Sequence, residues 1–111
     1  MGLDIFIVAG EASADLHAAS LLRELRRLHP GMRCFGVGGF ELRKEGMEIV
    51  VSAETLNVVG ISEWFYKAKE IIGAYRKLVR LIRIRRPDVA VLLDLPDFNL
   101  SIAKRLKRLG V

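Results

Sequence analysis

The feature that most constrains the fold is the alternation of short apolar runs with helical patterns along the whole chain. The first run, residues 3–9 (LDIFIVA), is rich in Ile and Val and is typical of a strand buried on both faces. Further strands are predicted at 33–38, 47–51 and 89–93, and helices at 14–30, 40–46, 61–86 and 98–110. This order predicts an α/β fold with a parallel sheet of strand order 3-2-1-4.

Size and charge set further limits. A chain of 111 residues suffices for one domain, and no apolar run has the length of a membrane span. Cys34 is the single cysteine and is predicted to be a small buried residue, which fits a reducing compartment. Residues 1–66 hold 6 Lys/Arg and 9 Asp/Glu, whereas residues 67–111 hold 12 and 4. This uneven basic charge favours partners that carry phosphate groups, but it does not distinguish nucleic acid, anionic lipid and phosphorylated ligands.

Two polar loops mark the expected ligand site. In open parallel sheets, ligands bind beyond the carboxyl ends of the strands, where the strand order reverses. For order 3-2-1-4 that point lies between strands one and four, whose exits are GEASAD (10–15) and DLPDFN (94–99). Asp94 ends the fourth strand and is a candidate general base, although a capping role is the alternative. Asp97 and Ser13 are each predicted to cap or support a helix N-terminus rather than to react.

Several common site patterns are absent from the sequence. GVGG (36–39) follows the second strand and is not the dinucleotide-binding pattern G-x-G-x-x-G. The chain has no P-loop, no Cys/His spacing for a metal and no recognisable Ser-His-Asp set. Nucleic-acid binding is disfavoured because the basic residues come without a recognised motif or an aromatic stacking platform.

Four blocks of sequence resemble one enzyme family over nearly the whole chain. VAGEASADLHAA, GVGGFELRKEGME, LNVVGISEW and PDVAVLLDLPDFNLSIAKRLKRLG are similar to the N-terminal half of lipid-A-disaccharide synthase. The resemblance implies a Rossmann-like domain over residues 1–111, the acceptor-side half of a GT-B glycosyltransferase whose UDP-sugar-binding half is absent from this sequence. The implied reaction transfers diacylglucosamine from UDP-diacylglucosamine to diacylglucosamine 1-phosphate with inversion and without metal or other cofactor. The implied location is the cytoplasmic surface of the bacterial inner membrane.

The resemblance also implies roles for particular residues. Asp94 matches the proposed general base, which would take the proton of the acceptor 6-hydroxyl. The residues implied to bind the acceptor are Gly10, Glu11, Ala12, Ser13, Asp15, Asp97 and Asn99. Ala14 departs from the family, which has glycine there, and would be strained if the loop required a positive φ.

A third set of residues is implied to contact the membrane. Its members are Val58, Val59, Ile61, Trp64, Phe65, Lys67 and Lys69. The remaining basic residues of the long helix are expected either on anionic lipid or on a solvated face, and they are Arg76, Lys77, Arg80, Arg83, Arg85 and Arg86. The alternative to an enzyme is a stand-alone module that binds a nucleotide or an anionic lipid without catalysis.

Overall fold

The computed structural model describes residues 2–56 and 60–111. Within these ranges the strands are β1 (Asp4–Ala9), β2 (Arg33–Gly38), β3 (Glu48–Ser52) and β4 (Val89–Leu93). The helices are α1 (Ala12–Leu28), α2 (Phe40–Lys44), α3 (Ala53–Leu56), α4 (Gly60–Arg85) and α5 (Pro96–Arg108). All strand pairs are parallel and their order is β3-β2-β1-β4, which confirms the predicted Rossmann-like α/β arrangement.

The central strand β1 divides the core into two layers. All of its residues are buried, as the continuous apolar run predicts. Ile5 and Ile7 pack with α1 and α2 on one face of the sheet. Phe6 and Val8 pack with α4 and α5 on the opposite face. The strand order reverses between β1 and β4. Right-handed crossovers therefore place the two helix pairs on opposite faces of the sheet, and the carboxyl ends of β1 and β4 mark the reversal.

The structure explains why the first position of the GVGG segment, Gly36, is a glycine. Its φ is +143°, a conformation that side chains rarely adopt. A Cβ at this position would lie 2.0 Å from the carbonyl oxygen of Ile7. The glycine is therefore needed where β2 approaches β1 closely, and this packing role accounts for it without a bound nucleotide.

The helix starts differ from the sequence prediction. Helix α1 begins at Ala12, and its N-cap residue is Glu11, which makes no side-chain capping bond. The prediction that Ser13 caps this helix is therefore wrong. Helix α5 begins at Pro96, two residues earlier than predicted, because proline suits the first turn of a helix. The four-residue helix α3 was not predicted, since so short a segment shows no helical periodicity.

Cys34 is buried in β2, as predicted. Burial raises the pKa of its thiol to about 12. The thiol therefore stays protonated at neutral pH and behaves as a small packing group rather than a nucleophile.

Arg85, at the end of α4, binds acidic side chains at the amino edge of the sheet. It donates to both carboxylate oxygens of Asp4, at 3.2 and 3.0 Å, and to Glu48 at 2.9 Å. Its guanidinium also lies 3.9 Å from the ring centroid of Phe35. Burial opposes the charge of Arg85, but the hydrogen bonds to Asp4 and Glu48 outweigh burial and keep its pKa above the ordinary value. This corrects the expectation that Arg85 lies on a lipid-facing or solvated surface.

Candidate active site

The exits of β1 and β4 lie side by side at the carboxyl edge of the sheet. Ala9 is in register with Leu93, the last residues of the two strands. The next residue, Gly10, donates its backbone N–H to the carbonyl of Leu93 at 3.3 Å. The loops GEASAD and DLPDFN therefore meet where the strand order reverses, as predicted from the sequence.

Asp94 occupies an unusual backbone conformation at this edge. Its φ is +58°, and that of the following Leu95 is +53°. A left-handed conformation costs a residue such as leucine roughly 1–2 kcal/mol and costs aspartate less, and such strain is concentrated at functional sites. The Asp94 side chain is exposed, and its carboxylate has no hydrogen-bond or ion-pair partner among the described residues. A carboxylate presented in this way can accept a proton from a bound hydroxyl group.

Gly10 makes room for the strained loop. A Cβ at Gly10 would lie 2.3 Å from Cγ of Leu95. The absence of a side chain lets Leu95 pack directly against the exit of β1. The structure thus gives Gly10 a packing role at the edge, while its predicted contact with the acceptor stays a prediction.

The start of α1 presents small and acidic groups to solvent. Glu11, Ala12 and Ser13 are all exposed, and Glu11 also borders the cleft described below. Ala14 is buried inside α1 and has no positive φ, so the alanine is accommodated without backbone strain. The predicted acceptor contacts of these exposed residues are sterically open, and they remain predictions.

Asp15 is buried and holds the N-terminus of α2. Its carboxylate accepts backbone N–H bonds from Gly39 and Glu41 at 2.9 Å each and from Leu42 at 3.1 Å. Only 5% of Asp15 is exposed. These bonds satisfy N–H groups that the first turn of a helix leaves unpaired. Sequence reasoning missed this role because the partners lie more than twenty residues away along the chain.

Removal of the Asp15 carboxylate should destabilise this region. Asp15→Ala leaves three buried or partly buried N–H groups without their acceptor, and we expect the free energy of unfolding to fall by about 2–3 kcal/mol. Urea unfolding of the purified protein would measure this. The control is Glu24→Ala, which removes only an exposed ion pair with Arg27 and should change stability by less than about 1 kcal/mol. Equal effects of the two substitutions would contradict the capping role.

Asn99 and Asp97 lie in the first turn of α5. Asn99 is 8% exposed, and its side-chain Nδ2 donates to the carbonyl oxygen of Asp94. Its Oδ1 has no partner among the described residues. Asp97 is exposed in the first turn, where its negative charge interacts favourably with the helix dipole. The N-cap residue itself is Leu95. The predicted acceptor contacts of both residues stay predictions.

A cleft runs from this edge between α4 and α5. Its volume is about 780 Å³, and Glu11 and Asp97 border it at the carboxyl edge. Its walls are mostly apolar and include Trp64, Ile71 and Phe98. A cleft of this size and lining can hold an apolar chain attached to a polar group that lies at the edge.

The structure describes some, but not all, of the side chains that are implied to contact the membrane. Val58 and Val59 lie outside the described residues, and Ile61 lies in α4 with its side chain outside the description. Trp64 and Phe65 are 51% and 71% exposed, and their rings contact edge to face at 5.8 Å. Lys67 pairs with Glu63 at 3.2 Å, whereas Lys69 is exposed without a partner in the described part of the chain.

The described ranges contain neither a candidate metal site nor a helix that could cross a bilayer. No group of three or more His, Cys, Asp or Glu residues there is arranged to hold a metal ion. None of the described helices combines the length and apolarity that crossing a bilayer requires.

Comparison with known proteins shows the family. The model of the lipid-A-disaccharide synthetase family matches residues 5–111. The chain is 54% identical over 107 residues to a protein named lipid-A-disaccharide synthase from Anaeromyxobacter dehalogenans (strain 2CP-C). Proteins of the same name from Geobacter metallireducens and Myxococcus xanthus are 46% and 45% identical. Each match covers 96% of this chain, and the chain spans about 28% of the length of these relatives. With this match over nearly its whole length, the chain belongs to the lipid-A-disaccharide synthetase family.

Proposed function

We propose that residues 1–111 form the acceptor-side domain of an inverting glycosyltransferase of the GT-B type. In the full-length protein, a second domain would bind UDP-diacylglucosamine, and the cleft between the two domains would receive diacylglucosamine 1-phosphate. The observation that carries this proposal is the exposed carboxylate of Asp94, which has no partner among the described residues and lies at the edge where β1 and β4 end. The relatives' names indicate the reaction class, and the exposure of the Asp94 carboxylate supports its role as the base.

The proposed chemistry is a single displacement. The Asp94 carboxylate takes the proton of the acceptor 6-hydroxyl as that oxygen bonds to the anomeric carbon of the donor. The bond from this carbon to the UDP oxygen breaks, and UDP leaves with the electron pair. One base on the acceptor side is enough, as in an inverting hydrolase, where one carboxylate activates the attacking water.

The loops around Asp94 would bind the acceptor sugar. Ala12 and Ser13 have small, exposed side chains, so a sugar ring can approach the backbone at the start of α1. Glu11 and Asp97 can accept hydrogen bonds from sugar hydroxyl groups at the mouth of the cleft. The apolar walls of the cleft between α4 and α5 are suited to an acyl chain of the same acceptor.

We further propose that α4 lies against the cytoplasmic surface of the inner membrane. Phe65, Lys69, Ile72 and Arg76 are exposed at spacings that place them on one face of the helix. Aromatic and aliphatic groups beside cations are typical of a surface that binds anionic lipid. This surface would bring the cleft close to lipid substrates, and Val58, Val59 and Ile61 are predicted to extend it.

The transferase assay tests the proposed reaction. Full-length protein supplied with UDP-diacylglucosamine and diacylglucosamine 1-phosphate should release UDP and form a disaccharide only when both substrates are present. The control omits the acceptor. UDP release that is equally fast without the acceptor would indicate hydrolysis and would contradict the proposed transfer.

Loss of the two exposed aromatic groups should weaken membrane binding. Since burial of one such side chain contributes about 1.5–3 kcal/mol, Trp64→Ser with Phe65→Ser should reduce vesicle binding at least about tenfold. Cosedimentation of full-length protein with phosphatidylglycerol-containing vesicles measures the change. The control is Leu100→Ser on α5, which removes another exposed apolar group. A similar loss of binding in both variants would refute the specific role of the α4 surface.

A further inference from the structure

Asn99 holds the strained residues that precede α5. Its backbone N–H donates to the carbonyl of Leu95 at 2.8 Å. Its side-chain Nδ2 donates to the carbonyl of Asp94. One residue thus binds both members of the left-handed pair, and it does so from a buried position in the first turn of a helix.

The left-handed pair needs such restraint. Leu95 is strained at positive φ, and Asp94 shares this conformation, which aspartate adopts more readily than leucine but less freely than glycine. Leu95 is held by its packing against Gly10. Among the described residues, Asn99 provides the side-chain hydrogen bond to the carbonyl of Asp94. This bond fixes the peptide plane that follows Asp94, and the backbone conformation of a residue determines the direction in which its side chain leaves the chain.

We propose that Asn99 is a positioning residue that acts through Asp94, an inference that rests on the proposed role of Asp94 as the general base. By holding the Asp94 carbonyl, the Asn99 amide fixes the conformation that presents the Asp94 carboxylate to the acceptor hydroxyl. This role differs from the contact with the acceptor that the family resemblance implies. The burial of Asn99 and the engagement of its Nδ2 favour the positioning role.

Two substitutions of similar volume test the role in the full-length enzyme. Asn99→Leu removes both polar atoms, including the Oδ1 that lacks a partner among the described residues. Asn99→Asp keeps the shape and replaces the donor with an oxygen, so one variant remains informative if the other fails to fold. Because small misplacement of a reacting group costs up to about 100-fold, kcat should fall between about 10- and 100-fold in each variant. The KM values for both substrates should stay within about threefold of the parent enzyme, since a positioning effect acts on the chemical step.

The matched control is Lys104→Ala on the same helix. It removes an exposed polar side chain that lies outside both the Asp94 loop and the cleft. Its kcat should equal that of the parent enzyme. An Asn99 variant whose kcat equals that of this control overturns the proposal. A raised KM for the acceptor with an unchanged kcat also overturns it, because that result indicates direct contact with the acceptor.

Combination with Asp94→Ala separates the two proposals. If Asn99 acts through Asp94, Asn99→Leu should reduce the rate of the Asp94→Ala enzyme by less than about threefold, because the two residues form one unit. A full additional loss in the double variant overturns the positioning role while the general base stands. An Asp94→Ala enzyme with near-parent kcat overturns the general base and the positioning role together.

Discussion

Full-length enzyme that carries Asp94→Ala should retain its fold and lose about 10²–10⁴-fold in kcat, the usual contribution of a general base. The side chain is exposed and unpaired in the described part of the chain, so its removal breaks no contact that holds the sheet. KM for the acceptor should change little, because the carboxylate acts on the proton as the new bond forms. Steady-state UDP release at saturating substrates measures the effect.

A charge-matched control makes the Asp94 result specific. Glu24→Ala also removes one exposed carboxylate, but on α1 and far along the chain from the candidate site, so its kcat should equal that of the parent enzyme. If Asp94→Ala keeps a kcat within about threefold of the parent enzyme, Asp94 is not the base, since the smallest expected loss is about 100-fold.

Arg85→Ala should destabilise the domain by about 2–3 kcal/mol, because it removes charged hydrogen-bond donors from the buried carboxylate of Asp4. Asp4 is 5% exposed, and both of its carboxylate oxygens accept hydrogen bonds from Arg85. Arg33 lies 3.6 Å from the same carboxylate, but its side chain is largely exposed. Hydrogen exchange of the β1 and β2 amides in the full-length protein would measure the local loss of stability.

Two control variants define the origin of the Arg85 effect. Arg83→Ala removes a neighbouring exposed arginine with no partner among the described residues and should change stability by less than about 0.5 kcal/mol. Arg85→Lys keeps the charge but cannot bind both Asp4 oxygens in the same planar geometry, so it should give an intermediate loss. Equal protection of β1 in the parent and Arg85→Ala proteins would contradict a stabilising role for the pair.

The fold follows from local sequence patterns to a large extent. Strand β2 has the predicted bounds, and the order of elements determines the strand order because right-handed crossovers leave few alternatives. The helix starts were less predictable. Helix α1 lacks a side-chain cap, so the search for a capping residue led to Ser13 instead of Glu11.

The convergence of the two loops at the candidate site was predictable, but the conformation of their residues was not. The strand-order rule places GEASAD and DLPDFN together, and the register of Ala9 with Leu93 agrees. The left-handed conformation that Asp94 and Leu95 share opposes the local preference of leucine, and contacts with Gly10 and Asn99 maintain it. The partners of Asp15 are likewise distant in sequence, so no local pattern could have assigned its carboxylate to the start of α2.

The stereochemistry of the product tests the proposed direct displacement at this edge most directly. Full-length enzyme would be supplied with both substrates, and the anomeric configuration of the new linkage would be determined by NMR and compared with that of the donor. A single displacement assisted by Asp94 predicts inversion, because the acceptor oxygen attacks the face opposite the departing UDP. Retention of configuration would contradict the proposal, since two successive displacements would require an enzyme nucleophile rather than a base for the acceptor hydroxyl.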